Sequence, residues 1–124
     1  MKEYTCGIIK ESLENYEFLD RITKYYQKER IADLPNLLEK VWHILEYKFP
    51  FVILEDMISA LEKELKLEWY IHIFNKEENI LYVIFKNKHF KLSGTRDEKW
   101  DEMIKYGESV GVERVWTQDI PMSV

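Results

Sequence analysis

The sequence predicts an α+β domain in which a mostly antiparallel sheet is combined with two main helices, at about 51–66 and 96–110. Two observations lead to this fold class. Short runs of β-branched and aromatic residues alternate with polar turns, which is the pattern of consecutive antiparallel strands. Two longer stretches repeat apolar residues at intervals of three and four, which is the period of an amphipathic helix.

Length and composition favour one folded unit. A chain of 124 residues has the size of a single domain, so we expect residues 1–124 to fold together. Hydrophobic residues make up 46% of the chain, beside only four glycines and three prolines, and this composition favours a packed core. The formal net charge of −5 argues against a nucleic-acid partner, because phosphate backbones are bound by concentrated positive charge.

The N-terminal residues and the single cysteine predict a cellular location. Cys6 alone cannot form an internal disulfide, and residues 1–4 lack the apolar core of a secretion signal. The longest apolar runs, at 49–54 and 80–85, are far shorter than the ~20 residues of a membrane span. We therefore expect a cytoplasmic protein with no membrane partner.

Four runs of residues have the length and composition of strands. They are Tyr4 to Ile9, Glu68 to Phe74, Ile80 to Phe85 and His89 to Leu92. Polar residues 75–79 predict a turn between the second and third runs, which then form a hairpin. Asn87 tolerates a left-handed conformation, so it predicts the next turn and sets Phe85 opposite Phe90. We expect a three-stranded meander over residues 68–92.

The two helical stretches have boundaries that the sequence also indicates. Residues 51–66 carry one apolar stripe of helical period. Residues 96–110 carry another, and Thr95 with Glu98 three positions later is a capping-box pattern. Gly111 is a typical position for a helix to stop.

Residues 13–49 support two interpretations. Helical spacing connects five apolar residues, namely Leu34, Leu37, Leu38, Val41 and Leu45. Alternation instead predicts a strand from Val41 to Phe49, with His43 and Tyr47 on the same face. Periodicity favours the helix but leaves both interpretations open.

Five segments carry a resemblance to a known family. They are CGIIKESL at 6–13, VWHILE at 41–46, WYIHIF at 69–74, VIFKNKHF at 83–90 and KYGESVG at 105–111. Together they resemble a family of small bacterial and archaeal proteins of no assigned function. The resemblance implies that residues 41–49 are extended, and it implies no reaction. The chain departs from the family at His72, where an acid is usual, and at Glu113, where a proline is usual.

Neither face of the central hairpin is polar. One face of its first strand carries Trp69, Ile71 and Ile73, and the other carries Tyr70, His72 and Phe74. A sheet with two apolar faces needs cover on both sides, and two helices are short for that task. We therefore expect a homodimer, in which a second subunit supplies the missing cover.

No metal site, cofactor or catalytic residue is predicted. His43, His72 and Cys6 are isolated from one another, whereas metal sites pair their ligands at short spacing. The most specific candidate is a patch of Tyr70, His72 and Tyr82 on the hairpin, which would stack a planar ligand and move a proton near neutral pH. The alternative, a packed sheet face or dimer contact, is favoured because cross-strand aromatic pairs are common.

Two classes of function follow. The favoured class is a non-catalytic, homodimeric binding or regulatory module, since no catalytic constellation is present. The alternative is a small-molecule-binding protein or small enzyme, with a pocket at the aromatic and histidine face of the hairpin. In the second class, residues 116–119 would close the pocket.

Overall fold

The computed structural model describes residues 2–33 and 41–124, in which six antiparallel strands form one sheet with helices packed on both faces. The strands are β1 (Glu3–Ile9), β2 (Tyr26–Asp33), β3 (Val41–Pro50), β4 (Ile71–Asn75), β5 (Ile80–Phe85) and β6 (Lys88–Ser93). The helices are α1 (Glu17–Arg21), α2 (Leu54–Glu64), α3 (Glu98–Ser109) and α4 (Arg114–Thr117), with short 3-10 turns at Lys10–Ser12, Thr23–Tyr25 and Phe51–Ile53. The predicted α+β class is confirmed.

The sheet order is β2-β3-β1-β4-β5-β6. The N-terminal strand β1 therefore lies in the middle, paired with β3 on one side and with β4 on the other. Strands β4, β5 and β6 form the predicted meander, and β2 with β3 form a second antiparallel pair. Strand β2 was not expected from the sequence.

Two asparagines set the turns of the meander. Asn79 and Asn87 have φ values of 57° and 64°, in the left-handed region that asparagine tolerates. The turn after β5 holds only Lys86 and Asn87, so Phe85 pairs with Lys88 and not with Phe90 as predicted. A two-residue loop pairs the residues directly flanking it, which fixes this register.

The strand interpretation of residues 41–49 is confirmed, because Val41–Pro50 is extended and pairs on both sides. Leu34, Leu37 and Leu38, on which the helical spacing depended, lie outside the described residues. The pairing of β3 with β1 decides between the two interpretations. This pairing is long-range, so the residue spacing within 41–49 does not reveal it.

Helix α3 begins two residues later than predicted. The Asp97 carboxylate accepts a hydrogen bond from the Lys99 backbone N–H at 3.0 Å, so Asp97 and not Thr95 caps the helix. The predicted stop is confirmed, since Gly111 follows the helix with a φ of 96°. None of the helices in residues 2–33 and 41–124 is long and apolar enough to cross a membrane.

The two faces of the sheet are covered unequally. Helix α2 packs with residues such as Ile8 and Ile73 in one core, which we call the first core. Helix α3 packs on the other face, in a second core whose buried strand residues come from β4, β5 and β6. On that second face, residues of β1 and β3 such as Ile9 and Ile44 are only partly buried. This half of the face lies open beside α3.

Candidate ligand-binding site

A cavity of about 810 Å³ lies over the open half of the second face. This volume is within the usual range of small-molecule pockets, about 300–1,000 Å³. Strands β1 to β4 supply its floor, and the segment from Gly111 to Trp116 supplies one side. The unequal helix cover of the sheet is therefore what creates the cavity.

The strand register arranges the floor. Arg30 pairs with Ile44, and Ile44 pairs with Ile9, so these side chains form one row across β2, β3 and β1. Gly7 pairs with His72 in the next row. Directly opposite residues of antiparallel strands share a face, which is why all five residues line the same cavity.

Gly7 makes room for the end of the chain. A Cβ atom at this position would lie 2.8 Å from Cγ1 of Val124, which is closer than any ordinary contact. The absence of a side chain on the central strand lets Val124 lie directly on the floor of the cavity. Residues 118–124 are called the C-terminal segment below.

Three indole rings form the wall of the cavity. The ring centroid of Trp42 lies 5.4 Å from that of Trp69 and 5.9 Å from that of Trp116. We call these three residues the tryptophan wall. Trp116 is 45% exposed, which leaves part of its ring surface available to a ligand.

Tyr70 and His72 both lie at this cavity. The Tyr70 hydroxyl donates to the carbonyl oxygen of Trp116 at 2.8 Å, and burial raises the pKa of Tyr70 to about 12. Tyr70 therefore stays neutral and holds the α4 backbone beside the sheet. Tyr70 and His72, two of the three residues of the predicted patch, therefore lie at the same cavity.

The hydrogen bonding of His72 defines its tautomer. Its Nε2 atom lies 2.8 Å from the carbonyl oxygen of Ser123, and a carbonyl only accepts, so Nε2 carries the proton. Burial lowers the pKa of His72, while the bond to Ser123 acts in the opposite direction. The ring is therefore neutral at neutral pH, and Nδ1 is left as an acceptor.

Tyr82 lies on the opposite face of the sheet. It pairs with Ile73, whereas His72 pairs with Val83, and neighbouring residues of a strand point to opposite sides. Its ring packs in the first core, with its centroid 6.2 Å from that of Tyr4. The predicted patch of three residues is therefore corrected to two, because the register of the hairpin separates Tyr82 from the others.

Three charged residues line the cavity. Arg30 is on β2, while Glu68 precedes β4 and Glu113 precedes α4. Strands β2 and β4 are three spacings apart, or about 14 Å. Within residues 2–33 and 41–124, none of these three side chains forms an ion pair.

The remaining candidate residues lie elsewhere. Cys6 is buried in the first core, and burial raises the pKa of its thiol. The His43 Nδ1 atom lies 2.6 Å from Glu11 Oε2, and the backbone N–H of His43 donates to Glu11 Oε1 at 2.8 Å. Across the described part of the chain, no three His, Cys, Asp or Glu residues are grouped as metal ligands would be.

Sequence reasoning missed most of the cavity. Trp42, Trp69 and Arg30 were not among the candidates, although Trp116 was placed in the closing segment. The four tryptophans were a compositional signal for these residues, but the pairing of β1 with β3 and β4 that brings strand residues to the cavity is long-range.

The chain matches none of the family models, curated proteins or solved structures with which it was compared. The resemblance to small bacterial and archaeal proteins therefore stays a prediction, and the cavity itself carries the argument about function.

Proposed function

We propose that this chain is a non-catalytic binding module whose cavity takes up a small planar organic molecule. The observation that carries the proposal is the tryptophan wall, Trp42, Trp69 and Trp116, beside a cavity of about 810 Å³. Indole rings stack on flat ligands, and each well-placed aromatic pair contributes about 0.5–1.5 kcal/mol beyond the area buried.

The chemistry of the cavity supports binding over catalysis. Its polar side chains include His72, Tyr70 and Arg30, and no serine, cysteine, threonine or lysine is among its described lining residues. His72 already uses Nε2 to hold Ser123, so only Nδ1 is left to meet a ligand. The Glu68 and Glu113 carboxylates also line the cavity, but no hydrogen bond joins either of them to His72, so no pair of nucleophile and base is formed among the described lining residues.

The test is a binding screen on the full chain. Flat bicyclic compounds, typified by naphthylmethanol, should raise the melting temperature and change the tryptophan fluorescence. Trp116→Ala should weaken this binding by about tenfold, which corresponds to the loss of one aromatic stacking contact.

A matched control is Tyr16→Ala. Tyr16 is also an exposed aromatic, at 48%, but it lies at the N-cap position of α1 and does not line the cavity. Its removal should leave naphthylmethanol binding unchanged. The proposal is overturned if no flat compound binds, or if Trp116→Ala and Tyr16→Ala weaken binding equally.

We also propose that the module works as a homodimer in the cytoplasm. Val52 is 80% exposed beside Phe51 in the 3-10 turn that precedes α2. Together the two side chains form an exposed apolar surface that a second copy would cover. The single cysteine, buried in the core, fits a reducing compartment. Sedimentation equilibrium at micromolar concentration that finds only the 15.1 kDa species would refute the dimer.

A further inference from the structure

We propose that the ligand is a ring-bearing organic cation, whose positive nitrogen lies at the end of the cavity formed by Glu68 and Glu113. The inference rests on the proposed function and names the chemical class of the ligand. It is based on the negative charges and the indole rings that lie together at this end of the cavity.

The two carboxylates belong to one end of the cavity. A Cβ atom on Gly111 would lie 3.0 Å from Cγ of Glu68, so the Glu68 side chain packs against the loop between α3 and α4. Glu113 is on the same loop, at the N-cap position of α4, and its side chain makes no capping hydrogen bond. We call Glu68 and Glu113 the carboxylate end.

The carboxylate end adjoins the tryptophan wall. Glu68 is next to Trp69 in the chain, Glu113 begins the turn of helix that carries Trp116, and all four residues line the cavity. The face of an indole ring attracts cations through its quadrupole, and tryptophan is the best of the aromatic side chains in this respect. The indole rings and the two carboxylates therefore both attract a positively charged ligand.

The other polar groups are consistent with a cation at that end. Arg30 is on β2, three strand spacings or about 14 Å of backbone from β4, the strand that Glu68 precedes. His72 is neutral, so it adds no positive charge beside β4. The positive charge of Arg30 disfavours a cation at the β2 side of the cavity.

The experiment compares four ligands that share one ring system. They are naphthylmethylamine, its trimethylammonium analogue, naphthylmethanol and naphthoate, titrated calorimetrically into the full chain. The two cations should bind about fivefold or more tightly than the alcohol, and naphthoate should bind weakest. Added salt should weaken the binding of the cations and leave that of the alcohol unchanged.

Substitutions locate the positive nitrogen. Glu68→Gln and Glu113→Gln should each lower amine affinity about two- to fivefold, as for other partly solvated ion pairs, without changing alcohol affinity. Glu102→Gln is the control, because Glu102 is an exposed acid of α3 outside the cavity. It should change neither affinity.

The outcomes separate this inference from the function on which it rests. If the alcohol binds as tightly as the amine and Trp116→Ala weakens both, the cavity binds flat molecules but the cation inference is wrong. The same holds if naphthoate binds best and Arg30→Gln abolishes its binding. If none of the four ligands binds, both proposals are wrong.

Discussion

His72 Nε2 donates a hydrogen bond of 2.8 Å to the carbonyl oxygen of Ser123. This bond ties β4 to the C-terminal segment, whose Val124 lies on the floor of the cavity against Gly7. Arg96 also holds the segment, by bonding the Gln118 carbonyl and the Asp119 carboxylate. These polar contacts act together with the packing of Ile120 in the second core to hold the C-terminal segment.

His72→Phe should loosen the C-terminal segment. The substitution keeps a flat ring beside Phe74 but removes the N–H donor, so the Ser123 carbonyl loses its partner. We expect a loss of about 1 kcal/mol in unfolding free energy. Amide exchange in residues 120–124 should become faster. His89→Phe, on β6, is the control and should leave that exchange unchanged.

The pH dependence of stability should report the same histidine. Because burial lowers the pKa of His72 below its ordinary value of 6.5, the unfolded chain takes up a proton more readily than the folded one. The contribution of His72 to stability is thus complete above about pH 6.5 and is lost as the pH falls through the folded pKa. Urea unfolding of wild type and His72→Phe should diverge in slope over that interval, and parallel curves would refute the assignment.

Gly7→Ala should displace Val124. The φ of Gly7 is not in the left-handed region, so alanine fits the strand, but its methyl group would meet Val124 Cγ1 at 2.8 Å. Val124→Ala should relieve this clash. We expect a coupling of about 0.5–3 kcal/mol between the two substitutions in a double-mutant cycle measured by urea unfolding. Additive effects would show that Val124 does not lie on Gly7 in solution.

Glu11→Gln should change acid stability. Burial alone would raise the pKa of Glu11, but the backbone and side-chain hydrogen bonds from His43 outweigh it, so the pKa is lowered below 4.5. The ionised carboxylate therefore stabilises the fold above about pH 4.5, and this contribution is lost as the pH falls through the folded pKa.

We expect Glu11→Gln to cost about 1–2 kcal/mol at neutral pH and to flatten the acid limb of the stability profile. Glu14→Gln is the matched control, since Glu14 is an exposed acid three residues away that pairs with Lys86 at the surface. Its effect should stay within about 0.5 kcal/mol. Equal acid limbs in wild type and Glu11→Gln would contradict the prediction.

Thr117→Val should stabilise the protein. The Thr117 hydroxyl is fully buried and has no hydrogen-bond partner among the described residues. Valine has the same shape without the unsatisfied oxygen, so we expect a gain of about 1 kcal/mol in unfolding free energy. Thr117→Ser keeps the oxygen and loses a methyl group that packs near Gly107, and it should destabilise by a similar amount. A loss of stability in Thr117→Val would mean that the hydroxyl has a partner in solution.

Local patterns were enough to predict much of the fold. Alternating residues and polar turns predicted β1 and the meander of β4 to β6, and apolar periodicity predicted α2 and α3. These elements are encoded within a few neighbouring residues, by side-chain period and by turn formers such as Asn87. The helix cap at Asp97 was misplaced by two residues, because several polar side chains near it were equally suitable.

The candidate site depended on the tertiary structure. Alternation in the sequence predicted that Tyr70 and His72 share a face, and both line the cavity, although β4 begins only at Ile71. Only long-range pairing decided that β1 joins β3 to β4, which gathers Trp42, Trp69 and Trp116 around one cavity. The same pairing register placed Tyr82 on the far side of the sheet. Periodicity reports the face of a residue within its own element, whereas register between distant strands is decided by the total burial that the whole sheet achieves.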